Sequence, residues 1–265
     1  MSKIMITKQN NPEKAAGLFN NWDEAVVWSC LQRVMGGVYT PDEQCPKSAM
    51  ATLGDFCFFA GEPDRELVTY KPEDCHQEFI IMVPQDDAWA KLIQECYKHR
   101  CKEIKRYAIK KEKDVFDREM LQRAAASLPR GFTVRMIDED IFNLCRMNDW
   151  SRDLVSQFKD YGMYEELGLG AAVLQNGIPV SGASSYARYR DGIEIEIDTR
   201  EEFRRMGLAY VCGARLILEC LERDLYPSWD AHNRGSVALA EKLGYHYDCE
   251  YRAFEVYGYG GGRIC

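Results

Sequence analysis

The sequence predicts an α/β (α+β) protein whose central sheet is mixed and mostly antiparallel, with helices on its faces. Two hairpin turns, Asn176-Gly177 and Asp191-Gly192, divide residues 167–199 into three strands. A long, mostly apolar helix at 208–224 follows the third strand after one short charged turn. This meander is the wrong element order for a nucleotide-binding Rossmann sheet, so that fold is excluded.

The elements of the second half can be assigned in order. The first is a strand, FTVRMID, after which Asp138 or Asp140 caps a helix. Beyond the meander and helix 208–224 come a short strand, PSWDA, and a short helix, NRGSVALAEKLG, which ends at Gly244. One or two closing strands lie in YHYDCEYRAFEVY.

The first half also mixes helices and strands. The run GDFCFFAGEPDRELVTY predicts a buried strand, a turn and a second strand, and EFIIMVP predicts another buried strand. Leu128-Pro-Arg-Gly131 ends a helix and is the candidate boundary. We therefore expect an N-terminal α/β domain at 1–130 and a second domain at 131–265. On element order alone, the first is interpreted as a diverged copy of the second.

Composition narrows the classes of function. The formal net charge of −8 argues against a nucleic-acid surface, which needs a basic patch. It suits a cationic amine as ligand, although such a charge also serves solubility alone. No apolar run approaches the length of a membrane span, and the N-terminus, MSKIMITKQNNPEK, lacks the features of a signal peptide. We expect a cytoplasmic protein without nucleic-acid or membrane partners, and leave a homodimer open.

The eleven cysteines are scattered and include no CxxC pair. They predict buried thiols in a reducing compartment and not a disulfide framework. Cys75 and His76, together with Cys96, His99 and Cys101, are the one set that resembles metal ligands. Their spacings do not match those of structural zinc pairs, so no metal is predicted.

The charged turn is RRMGLA, residues 204–209, between a strand at 193–199 and helix 208–224. The start of a helix leaves backbone N–H groups unpartnered and carries a partial positive charge. Gly207 lets the backbone approach a bulky anion, and Arg204 and Arg205 add charge at the same place. The turn therefore favours an anion such as a pyrophosphate. A simple turn without a ligand is the alternative interpretation.

Two motifs resemble those of the GNAT acyltransferases, the GCN5-related N-acetyltransferases. Arg204-x-x-Gly207-x-Ala209 fits their (Q/R)-x-x-G-x-(G/A) signature, and a meander with a β-bulged fourth strand precedes it in that family. The stretch WDAHNRGSVALAEKLGYHYDCEY resembles their second signature, an asparagine followed by a helix that ends in K-x-G-(F/Y). The combination is similar to the branch of zwittermicin-resistance-type acetyltransferases. The resemblance covers residues 132–256 and implies a C-terminal GNAT fold.

The resemblance implies acetyl-CoA (coenzyme A) as acyl donor. Its pantetheine arm would pair with the end of the fourth strand, where a backbone N–H would face the thioester oxygen. Its pyrophosphate would lie on the charged turn, and an asparagine and a serine would contact the arm. The cofactor-binding residues implied are Ile197, Asp198, Thr199, Arg204, Arg205, Met206, Gly207, Leu208, Ala209, Asn233 and Ser236.

Attack on a thioester needs a neutral amine, so a base must remove its proton. The strand at 193–199 alternates three isoleucines with Glu194, Glu196 and Asp198, which share one face. We favour Glu196 as the base, then Glu194; a solvated or salt-bridged strand face is the alternative. His232 is a further candidate base or proton relay, equally interpreted as a structural histidine.

Further residues concern the acceptor and the leaving group. Asp230 and Trp229 are candidate substrate-binding residues beside the same opening. Many GNAT members place a tyrosine, which protonates the leaving thiolate, where this sequence has Ala240. Cys212, Cys220 and Cys249 have no evident histidine partner, so a route through a cysteine is not favoured.

The expected function is transfer of an acetyl group from acetyl-CoA to a primary amine of a small molecule, by direct attack in a ternary complex. The alternative is a non-catalytic acyl-CoA-binding sensor or regulator, for which Ala240 is the main support.

Overall fold

The computed structural model describes residues 5–20 and 22–260. The chain divides into two compact units: unit 1 comprises the residues up to Arg106 and those from Tyr251 onward, and unit 2 comprises Tyr107–Glu250. The division falls within two strands, so each of these contributes residues to both units.

Thirteen strands and nine α-helices lie in the described part of the chain. The strands are β1 (Thr7–Lys8), β2 (Gly37–Thr40), β3 (Ser48–Leu53), β4 (Phe56–Gly61), β5 (Phe79–Pro84), β6 (Cys101–Ile109), β7 (Phe132–Met136), β8 (Gly170–Gln175), β9 (Ile178–Tyr189), β10 (Gly192–Thr199), β11 (Tyr226–Ser228), β12 (Asp230–Ala231) and β13 (Tyr247–Tyr257). The α-helices are α1 (Glu13–Ala16), α2 (Ala25–Leu31), α3 (Arg65–Thr69), α4 (Asp87–Tyr97), α5 (Arg118–Ala126), α6 (Glu139–Met147), α7 (Tyr161–Leu167), α8 (Leu208–Glu222) and α9 (Arg234–Lys242).

Unit 1 contains a sheet in the order β1-β2-β3-β4-β5-β13-β6. Strands β4 and β5 are parallel, whereas β2, β3 and β4 form an antiparallel meander. Trp89, on α4, is fully buried and stacks on Phe59 of β4 at 5.2 Å between ring centroids. The run ELVTY, predicted as a strand, contains helix α3 instead. Asp64 explains the difference, because its carboxylate caps α3 by accepting a hydrogen bond from the Leu67 N–H (2.9 Å).

Unit 2 contains a five-stranded sheet in the order β11-β10-β9-β8-β7. The pairs among β7, β8, β9 and β10 are antiparallel, and β10 and β11 are parallel. The predicted mixed, mostly antiparallel sheet is therefore present. The hairpin between β8 and β9 turns at Asn176 and Gly177, whose φ angles of 52° and 81° are left-handed. Asp138 and not Asp140 caps α6, since its carboxylate accepts from the Ile141 N–H (3.0 Å).

The division of the chain differs from the expected domain boundary at 130/131. Helix α5 precedes that boundary, yet Leu121 and Ala124 are buried in the core of unit 2, and α5 packs against α8. Burial of these side chains fixes α5 to the second unit, and a Pro-Gly turn at 128–131 only separates α5 from β7. At the other end, β13 returns the chain to unit 1, where Phe254 and Val256 join its core.

No helix in the described ranges is long and apolar enough to cross a bilayer. Nor do three or more His, Cys, Asp or Glu side chains within these ranges gather in a geometry that would hold a metal ion.

Candidate functional site

A fork between two strands is the main feature of the second unit. Strand β11 pairs with β10 only from Gly192 to Glu194, where the last partner of Glu194 is Ser228. Two residues further on, β12 pairs with the end of β6, Asp230 opposite Ala108. The strands therefore separate after Glu194, and the remainder of β10 pairs with β9 alone among the described strands.

The backbone of β10 beyond the fork offers hydrogen-bonding groups on its open edge. The Arg200 N–H donates to Val180 O (3.0 Å), so Arg200 faces β9. Residues of an antiparallel pair alternate between facing the partner strand and facing away. Glu196 therefore also faces β9 with its backbone, whereas the N–H and C=O groups of Ile195, Ile197 and Thr199 face away from it.

The register of β9 and β10 shifts at the fork. Glu194 lies opposite Ala187 and Ile195 lies opposite Ser185, so Tyr186 of β9 has no opposite residue in the register with β10. The expected β-bulge is present, but its extra residue belongs to β9 and not to the fourth strand of the meander, β10. The bulge increases local twist at the place where β10 parts from β11.

The loop after β10 has the geometry of an anion site. Arg205 and Gly207 both have left-handed backbone conformations, with φ angles of 64° and 81°. Val211 is the first residue of α8 whose N–H finds a backbone acceptor, Gly207 O (3.2 Å). The N–H groups at the start of α8 thus follow two left-handed residues, and a turn of this kind can present its N–H groups to an anion as a nest. We refer to the turn at residues 205–209 as the nest.

The two arginines of the loop differ in their surroundings. Arg204 is directed back to the end of β10: its Nε donates to Thr199 O (3.0 Å) and its guanidinium lies 3.6 Å from the Asp198 carboxylate. Arg205 is exposed, and its backbone forms the nest itself. Arg205 is therefore better placed than Arg204 to add its charge to a bound anion.

Thr199 does not offer its backbone to a ligand in this structure. Its N–H donates to the Asp198 carboxylate (2.6 Å), and its C=O accepts from Arg204. Of the three strand-end residues expected to pair with a pantetheine arm, Ile197 has its N–H and C=O on the open edge. Asp198 instead faces β9 with its backbone and holds the strand end with its side chain.

The start of α9 lies just beyond β12. Asn233 is exposed and caps the helix, its Oδ1 accepting from the Ser236 N–H (3.0 Å). The Ser236 hydroxyl accepts from the Trp229 indole N–H (3.0 Å). Trp229 is only 2% exposed and packs edge-on against Tyr245 in the core of unit 2. The indole therefore supports the helix start from inside, which disfavours the expected contact with a substrate.

The acidic residues of β10 occupy different environments. Ile193 and Ile195 are buried in the core of unit 2, so Glu194 and Glu196 lie on the opposite face of the sheet, as the alternation predicted. Glu194 is 7% exposed, and its carboxylate accepts a hydrogen bond from the Asp230 N–H at 2.6 Å. Glu196 is half-buried.

His232, the third expected catalytic residue, is exposed, between β12 and Asn233.

Sequence reasoning missed a pair of hydroxyl groups on the face of Glu196. Ser184, on β9, lies opposite Glu196 in the register, and its hydroxyl is 2.9 Å from that of Tyr164 on α7. Both are buried, and burial raises the pKa of Tyr164 well above its usual range. The sequence feature that reflects this pair is Gly170 on β8, because any side chain larger than glycine would place its Cβ against the Tyr164 hydroxyl.

Two of the three alternative cysteines, and the tyrosine nearest Ala240, are buried in this structure. Burial raises the pKa of the Cys212 and Cys220 thiols to about 12, so neither is a thiolate near neutral pH. Cys249 is exposed. Ala240 is fully buried, and the nearby Tyr245 is also buried, with its hydroxyl donating to Pro227 O (2.6 Å). Tyr245 therefore packs in the core and does not replace the missing acid.

Comparison with known proteins identifies the class that this fold and site define. The sequence profile of the GNAT acetyltransferase family matches residues 16–254. The chain therefore belongs to that family and is an N-acetyltransferase. The resemblance drawn from the two sequence motifs is confirmed, and the match extends well into the first half of the chain.

Three relatives illustrate the match. The crystal structure of a GCN5-related N-acetyltransferase-like protein from Streptococcus suis 89/1591 has a TM-score of 0.87 and 46% identity, and the match covers 93% of this chain and 98% of that one. The uncharacterized N-acetyltransferase YdfB of Bacillus subtilis (strain 168) is 30% identical over 244 residues, 86% of this chain and 88% of that protein. A GCN5-related N-acetyltransferase from Sphaerobacter thermophilus shares the fold, with a TM-score of 0.56, 13% identity and 98% of each chain covered.

Proposed function

We propose that the chain transfers an acetyl group from acetyl-CoA to a primary amine of a small molecule, by direct attack within a ternary complex. The observation that carries the proposal is the open edge of β10, which begins at the fork and ends at the nest of N–H groups around Arg205 and Gly207. The pantetheine arm of acetyl-CoA would fit the open strand edge, and the pyrophosphate at its end would fit the N–H groups of the turn.

The donor site would use backbone groups throughout. The N–H groups from Arg205 to Ala209 would hold the pyrophosphate, and the exposed Arg205 side chain would add charge. Ile197 would pair with the amides of the pantetheine arm, as an added strand does. Acetyl-CoA supplies a thioester, whose carbonyl oxygen becomes negative during attack. A backbone N–H on the open edge of β10 would stabilise that charge.

Glu196 is the base that the surroundings favour. It is half-buried on the sheet face opposite the core and lies beside the open edge of β10, whereas the Glu194 carboxylate accepts from the Asp230 N–H at the branch of the two strands. The amine would attack the thioester carbon while its proton passes to the Glu196 carboxylate, directly or through water. The C–S bond then breaks and the electron pair leaves on sulfur. A thiol has a pKa near 8.5, so the thiolate departs without an acid at the position of Ala240.

The acceptor is proposed to be a cationic amine. Its positive charge suits a chain with a net charge of −8 and the acidic face of β10, which carries Glu194, Glu196 and Asp198.

The first test measures thermal stability with acetyl-CoA, coenzyme A and desulfo-coenzyme A. A ligand at a hundredfold excess over its Kd stabilises the folded chain by about 2.7 kcal/mol, which is an easily measured shift in Tm. Thiol release against a panel of primary amines then measures turnover. Stabilisation with amine-dependent thiol release supports the proposal.

Two other outcomes would change it. Stabilisation without turnover on any amine would favour a non-catalytic acyl-CoA-binding module, the interpretation to which Ala240 points. Absence of stabilisation by all three ligands would refute the donor site, and the turn at 204–209 would then be a turn only.

A further inference from the structure

The hydrogen bond of Glu194 lies at the branch point of the fork. The Tyr226 N–H donates to Asp191 O (2.7 Å) where β11 begins. In a parallel pair of strands, every second N–H of one strand bonds to every second C=O of the other. That spacing aligns the Ser228 N–H with Ile193 O, and it would align the Asp230 N–H with Ile195 O if the ladder continued.

The ladder does not continue, and the Asp230 N–H has another acceptor. It donates to the Glu194 carboxylate at 2.6 Å, a short bond of the kind that a charged acceptor forms. Glu194 is 7% exposed, so this carboxylate is buried at the branch point and not solvated on the sheet face. The Glu194 side chain thus accepts from the Asp230 N–H, the donor that would bond to Ile195 O if β10 and β11 stayed paired.

We propose that Glu194 is a positioning residue that holds the fork open. By binding the Asp230 N–H, it leaves the Ile195 C=O on the open edge as an acceptor for an amide N–H of the pantetheine arm. The proposal rests on the proposed function, since it assigns the arm of the acyl donor to this edge. It also divides the two glutamates of β10: Glu194 shapes the donor site, and Glu196 takes the proton.

The test compares two substitutions of similar size. Glu194→Gln keeps an oxygen that can accept from the Asp230 N–H, whereas Glu194→Met removes every acceptor. We expect Glu194→Gln to bind desulfo-coenzyme A with a Kd within about threefold of wild type, and Glu194→Met to bind about tenfold more weakly or worse. The maximal rate at saturating acetyl-CoA should fall much less than the affinity. Glu241→Met, at an exposed position of α9, is the matched control.

Calorimetric titration of each variant with desulfo-coenzyme A measures the Kd. Crystal structures of the unliganded variants show independently whether the fork has changed. We expect Glu194→Met to bring the Asp230 N–H within hydrogen-bond distance of Ile195 O. If Glu194→Met does not fold, Glu194→Asp takes its place, because it withdraws the carboxylate by one methylene.

If Glu194→Met binds desulfo-coenzyme A with wild-type affinity, Glu194 does not hold the fork open. An equal loss of affinity in Glu194→Gln and Glu194→Met would also contradict this role. A wild-type chain that binds no coenzyme A would instead refute the proposed function, so the two failures are distinguishable.

Discussion

At the scale of single residues, the two glutamates of β10 illustrate how position in a sheet decides the role of a side chain. Glu194 and Glu196 share a face and are two residues apart, yet only Glu194 stands at the branch point, where a backbone N–H of β12 reaches its carboxylate. Two residues later, at Glu196, β11 no longer pairs with β10. We therefore propose a structural role for the carboxylate of Glu194 and a chemical role for that of Glu196.

Replacing Glu196 by Gln should remove the base and leave the donor site intact. We expect kcat to fall by about 100-fold or more, the usual contribution of general base catalysis, with the Kd for acetyl-CoA unchanged within about threefold. A primary amine has a pKa near 10, so in Glu196→Gln the rate should rise about tenfold per pH unit between pH 7 and 9, as the amine loses its proton unaided.

Steady-state rates across that pH range, with calorimetric binding of coenzyme A, check this prediction. Glu222→Gln, at an exposed position of α8, should behave as wild type. A kcat for Glu196→Gln near the wild-type value would assign the base to another group, and His232 would be examined next.

Residue identities predicted some local roles and not others. An aspartate before an apolar-periodic run predicts a helix cap, although the choice between Asp138 and Asp140 needed the hydrogen bond to Ile141. The sequence assigns Trp229 to a substrate because the residue lies next to the expected acceptor opening. Its burial and its bond to Ser236 depend on Tyr245 and α9, which come later in the chain. Contacts at such separations leave no periodic signal.

At the scale of elements, two left-handed residues set the path of the turn between β10 and α8. Glycine adopts such a conformation without strain, whereas an arginine adopts it at some cost, so Arg205 stores backbone strain at this turn. The Gly-containing turn was evident from the sequence. The left-handed Arg205 was not, because a non-glycine residue gives no sign of a positive φ.

Gly207 provides a test with a matched control. A Cβ at Gly207 or at Gly177 would meet nothing within 4 Å, and both residues have a φ of 81°, so alanine at either position adds backbone strain without a collision. We expect Gly207→Ala and Gly177→Ala each to reduce the free energy of unfolding by about 1 kcal/mol. Only Gly207→Ala should weaken acetyl-CoA binding, because only that strain distorts the nest.

Urea unfolding with and without acetyl-CoA measures both effects. The ligand should stabilise Gly177→Ala as much as wild type and Gly207→Ala less. Equal stabilisation of the two variants would contradict a phosphate site at this turn.

Element order was predictable in unit 2, while pairing was not. The predicted succession from FTVRMID to the closing strand agrees with β7 to β13, because Asn-Gly and Asp-Gly turns and apolar periodicity are local signals. The fork depends on where β11 leaves β10, and the bulge depends on the register of β9 at Tyr186. Both arise from pairing between strands, which a single sequence does not encode locally.

At the scale of the whole molecule, the two units share an order of elements. In unit 1 an antiparallel meander, β2 to β4, is followed by α3, the parallel strand β5 and α4. In unit 2 the meander that ends in β10 is followed by α8, the parallel strand β11 and α9. The interpretation of the N-terminal part as a diverged copy agrees with this correspondence.

The corresponding turn of unit 1 lacks the features of the donor site. Strands β4 and β5 remain paired over four consecutive residues, from Phe56 to Phe59 on β4, so they form no fork there. The turn that follows carries Glu62 and Asp64 in place of arginines, and the Asp64 carboxylate already accepts from an N–H at the start of α3. A second acyl donor would therefore meet negative charge and an occupied helix start.

We accordingly expect one molecule of coenzyme A per chain, bound in unit 2. Arg205→Glu reverses the charge beside the nest and should weaken binding at least about tenfold, since an anion would face a carboxylate where it now faces a guanidinium. Glu62→Ala changes an exposed residue of the unit 1 turn and should leave affinity and stoichiometry as in wild type. Isothermal titration calorimetry measures both quantities. Two sites per chain would show that unit 1 retains a donor site despite its acidic turn, and wild-type affinity in Arg205→Glu would show that the Arg205 side chain does not contribute to the anion site.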